Sequence, residues 1–330
     1  MNSAHETLQR QAKYVALISG LFGVGFIAAA ALTAYSWRDA LPNPVAVHWS
    51  ASGAPNRLAT LNGAIIPFLA IGIPAITLFS IMCWVMGNSA LVRKILAALN
   101  VWFGSFLALI LLVSLASQRG LADAIQSQFT STMLGIPVIF SLVLAVIAWK
   151  FVPDDPPLPA TTPIHSDAPL LNIGVGQRVV WHRYVTGGIG LIISGIIALS
   201  FILLSFYLRN WVFVLLALML TLLLVAFSAF RVRIDESGLQ VRTMLGWPRS
   251  HIPANEILGT SVIRVDPFRD FGGWGWRAGR SAPGQSRSGV VTRKGEALLV
   301  ERTGGRRFVV TTDDAATAAA LLNTVAARSR

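Results

Sequence analysis

Charge is the scarcest commodity in this chain. Of its 330 residues only 13% are Asp, Glu, Lys or Arg, against 54% hydrophobic. An ordinary soluble domain carries about 25% charged residues, so too few are present to cover a water-facing surface of this size. The mean hydropathy of +0.62 points to lipid as the solvent for much of the molecule. Cysteine is nearly absent as well. The single Cys83 lies inside an apolar run, which excludes a disulfide framework within the chain and a thiolate metal cluster. Acidic residues are fewer than basic ones, 15 against 27, for a net charge of +12. Such an excess fits nucleic-acid binding, anionic-lipid contact or control of membrane topology, and the position of the charges has to separate these.

What the chain has in abundance is long apolar runs. Crossing a hydrocarbon core takes about 20 helical residues. Six stretches qualify, at 14–35, 61–86, 97–116, 133–152, 186–208 and 211–230, and only Lys150, at an end, is ionised within them. Tyr14, Tyr35, Trp37, Trp84, Trp149, Tyr184, Tyr207 and Trp211 gather at the ends, as amphipathic rings do at a membrane interface. Pro67, Pro74 and Pro137 predict kinks. The first run is too long for the apolar region of a signal peptide, about 7 to 15 residues, and reads as a retained span. Counting Lys and Arg beside the spans places both termini in the cytoplasm of a plasma or inner membrane. Arg38, Arg57, Arg119 and Arg209 then fall outside. The fold expected is therefore an α-helical polytopic membrane protein with six transmembrane helices and a β-rich cytoplasmic domain at its C-terminus, closed by one helix.

Four regions follow from this reading. Residues 1–152 form a four-helix membrane region with an ordered outside loop at 36–60. Residues 153–185, with six prolines from Pro153 to Pro169, form an extended cytoplasmic linker. Residues 186–230 form a helical hairpin turning at Arg209 and Asn210. Residues 231–330 contain short alternating runs, at Val232–Ile234, Leu239–Arg242, Val262–Val265, Val290–Thr292, Ala297–Val300 and Phe308–Thr311, separated by turn pairs such as Ser237-Gly238. A C-terminal helix follows, with Asp313 or Asp314 at its start and Ala315, Ala318, Leu322 and Val325 at helical spacing.

The outside loop is the most distinctive segment. Pro42, Pro44 and Pro55 enforce extension, Val45 and Val47 alternate like a strand, and a turn at Gly53 presents His48, Trp49 and Arg57. In Leu41-Pro42, the strand into His48-Trp49, and Gly53-x-Pro55-Asn56-Arg57, the chain resembles the bacterial membrane domain of unknown function 1648, found in the Sdp immunity protein. Asn56 stands where that family usually has Asp, and Ser50 where it commonly has Asn. The resemblance implies a membrane protein without known catalytic activity. The role expected for the whole chain is that of an envelope sensor, regulatory or toxin-immunity-type protein, with no cofactor. His48 reads as a metal ligand, a proton sensor, a contact for an extracellular peptide or envelope protein, or an interfacial anchor. His5, His165, His182 and His251 fall on the other side of the expected topology, so no metal site is expected around it.

Polar residues within the spans are limited to Asn62, Asn100 and scattered Ser and Thr. That weakens ion-coupled transport and intramembrane proteolysis, although a small-solute or lipid transporter stays open as the alternative. In the cytoplasmic domain, the glycine-rich segment from Pro267 to Arg293 interleaves aromatic residues with arginines. Arg269, Trp274, Trp276, Arg277 and Arg280 are candidates for lipid-headgroup contact, because an anionic inner leaflet attracts each arginine by about 1 kcal/mol. Nucleotide binding, single-stranded nucleic acid and a flexible loop without ligand are the competing readings, and nucleic acid is not the expected partner. The order of strands and closing helix is similar, in topology alone, to a bacterial pleckstrin-homology-like domain.

Overall fold

The computed structural model describes residues 2–330 except 51, 165–167, 175, 209–211, 248 and 283–284. It contains two compact units, one of residues 8–155 and one of residues 156–330 together with 1–7.

The first unit is helical. Its elements are α1 (Asn2–Ser36), a hairpin of β1 (Val45–Trp49) and β2 (Pro55–Ala59), α2 (Leu61–Met86), α3 (Ala90–Ala116) and α4 (Ser131–Phe151). Four helices are long and apolar enough to cross a membrane, at Glu6–Ser36, Leu61–Met86, Ala90–Ala116 and Met133–Phe151. Their outer faces carry Leu21, Phe22, Leu32, Ile71, Ile136 and Ile139 largely exposed to the surroundings, which water would penalise and hydrocarbon would not. Thr60 and Ser89 cap α2 and α3, each accepting a backbone N–H from the first turn. Both α2 and α4 run continuously through their prolines.

Helix α3 is the most enclosed of the four, and glycine is the reason it can be. An added Cβ on Gly104 would lie 2.3 Å from the carbonyl oxygen of Gly23, and one on Gly72 would strike the Ile27 side chain. Small residues thus let α1 approach both α2 and α3, as membrane helices require when no hydrophobic effect drives them together. Beside this contact the buried Asn100 donates to Ser19 Oγ at 3.0 Å and Ser80 Oγ at 3.1 Å, joining α1, α2 and α3. Gly104→Ala should therefore destabilise the bundle by about 1–3 kcal/mol, the usual result of overpacking. Gly25→Ala, which points into open space, serves as the control. Thermal unfolding in detergent checks this; equal melting of the two variants would show that α1 and α3 do not meet at Gly104.

At the α2–α3 turn the guanidinium of Arg93 is completely buried. It donates to the carbonyls of Gly87 at 3.0 Å and Pro153 at 3.3 Å, and pairs with Asp155 at 3.0 Å. Lys94 pairs with Asp154. These cations lock the end of α4 onto the start of α3, beyond any influence on topology.

The second unit is a β-sandwich closed by a helix, with an apolar hairpin of α5 (Gly188–Leu208) and α6 (Val212–Ser228) inserted after its first strand. Of the six spans expected, four are met among the described residues; α5 contributes an uninterrupted described apolar stretch of Ile192–Tyr207. The expected turn residues Arg209 and Asn210, with Trp211 and His165, lie outside the described residues.

One sheet has the order β3 (Trp181–Thr186), β4 (Ala229–Asp235), β5 (Gly238–Thr243), β6 (Arg249–Pro253), all antiparallel. The other has the order β7 (Ile257–Val265), β10 (Gly295–Arg302), β11 (Arg306–Thr311), β9 (Gln285–Val291), β8 (Gly275–Ala282), with β11 and β9 parallel. Alternation does the work: Phe230, Val232 and Ile234 from one sheet meet Leu298, Val300 and Phe308 from the other in a single core. Helix α8 (Ala315–Arg328) adds Ala318, Leu322 and Val325 to it.

Two boundaries differ from the sequence reading. The proline-rich stretch 153–185 is extended as expected, but it is not a slack linker. The Ala160 N–H donates to the Asn255 carbonyl at 2.7 Å, the Leu171 N–H to Thr324 Oγ1 at 2.9 Å, and residues 181–186 become the edge strand β3. Proline cannot join a sheet interior but can lie along its surface, where neighbours supply the missing donors. The segment from Pro267 is likewise structured: a single-turn α7 (Pro267–Phe271) leads into the β8–β9 hairpin. Small residues permit this, since a Cβ on Gly289 would lie 2.3 Å from the Val309 carbonyl oxygen.

Candidate functional site

The segment 36–60 supplies the site. Leu41 and Pro42 face inward, with Leu41 packed on a core of Ala30, Ala34, Val45 and Leu111, so the first part of the motif is structural. The following strand is anchored from beneath by a residue the sequence reading passed over. Gln118, just beyond the end of α3 and fully buried, accepts the Ala46 N–H on Oε1 at 2.6 Å. It returns a donor from Nε2 to the Ala46 carbonyl at 2.9 Å. One amide side chain thus acts as a surrogate strand for β1.

The hairpin tip is anchored from the other side. Gly53, at φ +82°, accepts the Phe129 N–H at 3.1 Å, and a side chain there would come within 2.8 Å of the Phe129 carbonyl oxygen. Only glycine takes that backbone conformation without strain. Trp49 donates from Nε1 to Ser127 Oγ at 3.2 Å and lies 5.0 Å from the Phe129 ring. Pro55 opens β2 opposite Trp49. The tip is therefore fixed to the segment that precedes α4.

These anchors hold three side chains at the rim of a cleft. His48 is exposed, and its Nδ1 lies 2.6 Å from Asn56 Oδ1. A carbonyl oxygen only accepts, so Nδ1 carries the hydrogen and Nε2 is the acceptor of the neutral ring. Arg57 sits across the ladder from His48 and is also exposed. Beside them opens a volume of about 580 Å³, lined by Trp49, Phe129, Pro67, Phe68, Ile110 and Leu111. Ser114 supplies the polar point in the wall. The lining is mostly apolar with a cationic and imidazole rim, an arrangement suited to an amphipathic ligand. Gln118, Ser127 and Phe129 had only a weak sequence signal: uncharged polar and aromatic residues beside a span look like ordinary interface.

The second group of candidates is divided by the structure. Trp276 is half-buried and packs against the core, its ring 6.0 Å from Phe230 and 6.2 Å from Phe308. Trp274 meets Phe268 edge-on at 4.3 Å, and its carbonyl accepts Arg277 Nε at 2.7 Å. Arg269 and Arg277 are exposed; the Arg280 side chain lies outside the described residues. Asp266 caps α7, and its carboxyl is held below the usual carboxylate range, first by the Arg269 amide and then by Lys294. A smaller cleft of about 310 Å³ separates Trp274, Trp276 and Arg277 from Ile193, Leu224 and Phe227.

Compared with protein-family models, with curated proteins and with solved structures, the chain matches none.

Proposed function

We propose that this protein is a non-catalytic integral membrane receptor of the sensor or immunity kind, which captures an amphipathic envelope ligand at the hairpin-roofed cleft. The observation that carries the reading is the cleft itself: about 580 Å³ of mostly apolar space with His48, Trp49 and Arg57 in its lining. An apolar trough with a cationic rim fits a peptide or acyl segment bearing an anionic group. Within that rim Asn56 is the residue that orients His48.

We further infer that α5 and α6 enter the bilayer, giving six spans, and that the hairpin faces outward while the β-sandwich is cytoplasmic. At about 1.5 Å per residue, the 17 residues of α6 reach about 25 Å, close to the thickness of a hydrocarbon core. Transport is the second reading, favoured by one detail: Pro67 of the proline-containing α2 lines the cleft. Its support is weaker, because Asn100 and its serine partners tie helices together instead of lining a path.

Cells carrying the chain and challenged with amphipathic cationic and anionic peptides provide the test. Replacing His48, Trp49 and Arg57 together with Ala should abolish the protective or signalling phenotype while membrane abundance stays within about twofold. Loss of abundance in parallel with phenotype would assign the three residues to folding and sink the receptor reading.

A further inference from the structure

The outward face of the four-stranded sheet carries an arrangement that folding alone disfavours. Register places Arg231 of β4 directly opposite Arg242 of β5, and Arg242 directly opposite Arg249 of β6. Neighbouring strands are about 4.8 Å apart, and like charges facing each other across a ladder are destabilising. Relief within the protein is slight. Arg231 donates to the Tyr184 hydroxyl at 2.7 Å, and Arg242 to Gln240 Oε1 at 2.9 Å. Among the described residues no carboxylate lies within ion-pair distance of the three, whereas Arg233, one pleat further along, is paired with Asp235 at 2.8 Å.

A second feature lies at the same level. The β5–β6 turn exposes Met244, Leu245 and Trp247 at 53%, 56% and 57%. It is an ordered turn: Thr243 Oγ1 donates to the Trp247 carbonyl at 2.7 Å, and the Gly246 N–H to the Thr243 carbonyl at 2.9 Å. The Met244 N–H meets the carbonyl of Ala229, the first residue of β4 and the one that follows α6. The apolar tip is therefore level with the end of an apolar helix, and the arginine row lies within about 10 Å of it along β4.

We propose that this sheet face docks on anionic phospholipid headgroups, with Arg231, Arg242 and Arg249 on the phosphates and Met244, Leu245 and Trp247 seated in the interfacial layer. Charge complementarity removes the repulsion of the row, and the interface removes the exposure of the tip. A nucleic-acid partner would leave the apolar tip unexplained. The proposal concerns a surface separate from the hairpin cleft and does not depend on the ligand proposed there.

The test uses the full chain in nanodiscs, spin-labelled at position 245 by Leu245→Cys in a Cys83→Ala background. In discs rich in phosphatidylglycerol the label should become oxygen-accessible and shielded from an aqueous nickel chelate; in phosphatidylcholine alone it should stay in water. The triple variant Arg231→Gln, Arg242→Gln, Arg249→Gln should cut the preference for the anionic lipid at least tenfold, since each arginine contributes roughly fivefold. The corresponding triple Lys variant should keep most of it, which separates charge from misfolding. A label in water in both lipids overturns the proposal. So does equal immersion in both, or a triple Gln variant whose lipid preference is unchanged. Tight binding of a single-stranded oligonucleotide, lost in the triple Gln variant without any lipid preference, would assign the face to nucleic acid instead.

Discussion

Gln118→Leu should release the hairpin. The substitution keeps the volume but removes the side-chain partner of the Ala46 N–H and carbonyl, both in a residue only 1% exposed. Each buried unsatisfied group costs about 1–3 kcal/mol, so the local stability of residues 45–59 should fall by about 3 kcal/mol. At 1.4 kcal/mol per decade, their amides should exchange about a hundredfold faster. Gln118→Glu should behave no better, because a second oxygen then opposes the Ala46 carbonyl. Hydrogen exchange followed by mass spectrometry measures this directly. Unchanged protection at 45–49 in the Leu variant would mean that Trp49–Ser127 and Gly53–Phe129 suffice to hold the loop.

That dependence on Gln118 marks where sequence reasoning stops. The four long helices, the six strands from Val232 onward and the closing helix were legible because each has its own periodicity, apolar without interruption or alternating every second residue. Strands β3, β6 and β8 were not. Trp181 to Thr186 merges with the proline-rich stretch on one side and the apolar run on the other, Arg249 to Pro253 is short and polar, and Gly275 to Ala282 is mostly small residues. Their strand character comes from partners distant in sequence, not from local pattern. At the site, His48, Trp49 and Arg57 stood out because their chemistry is conspicuous in a loop. The residues that position them are ordinary by type and become visible only through contacts across 72 and 78 positions. Trp276 shows the converse: its arginine neighbours are visible in the sequence, whereas its packing against Phe230 and Phe308 is not.

Arg93 and Glu256 share a logic that composition alone conceals. In a chain with few acids, two, Asp155 and Glu256, are placed where cations are buried, and the excess of arginine is left for surfaces. Arg93 closes the α2–α3 turn with Asp155, while the uncompensated Arg231, Arg242 and Arg249 lie on an exposed sheet face. The net charge of +12 is thus mainly a property of surfaces, which favours interaction with an anionic partner over internal use.

Glu256→Gln should produce the largest loss of stability in the β-sandwich. The Glu256 carboxylate is 5% exposed and accepts Arg302 Nη2 at 2.7 Å and Arg306 Nη2 at 3.1 Å, both from guanidiniums that are themselves buried. Its other oxygen accepts the Leu158 N–H at 3.1 Å, so the same carboxylate fastens the proline-rich strap. Glutamine can still accept the Leu158 N–H but leaves two buried cations without a counter-charge. Breaking such a cluster costs about 3–5 kcal/mol, a large share of the 5–15 kcal/mol that typically separates folded from unfolded domains. Replacing all three members together, as Glu256→Leu, Arg302→Met and Arg306→Met, should recover most of that loss, because no buried charge then remains unpaired. Denaturant unfolding of the full chain, followed by proteolysis at the strap, distinguishes the two variants. A Glu256→Gln protein within about 1 kcal/mol of wild type would show that water reaches the cluster, and the triple replacement would then be the more damaging of the two.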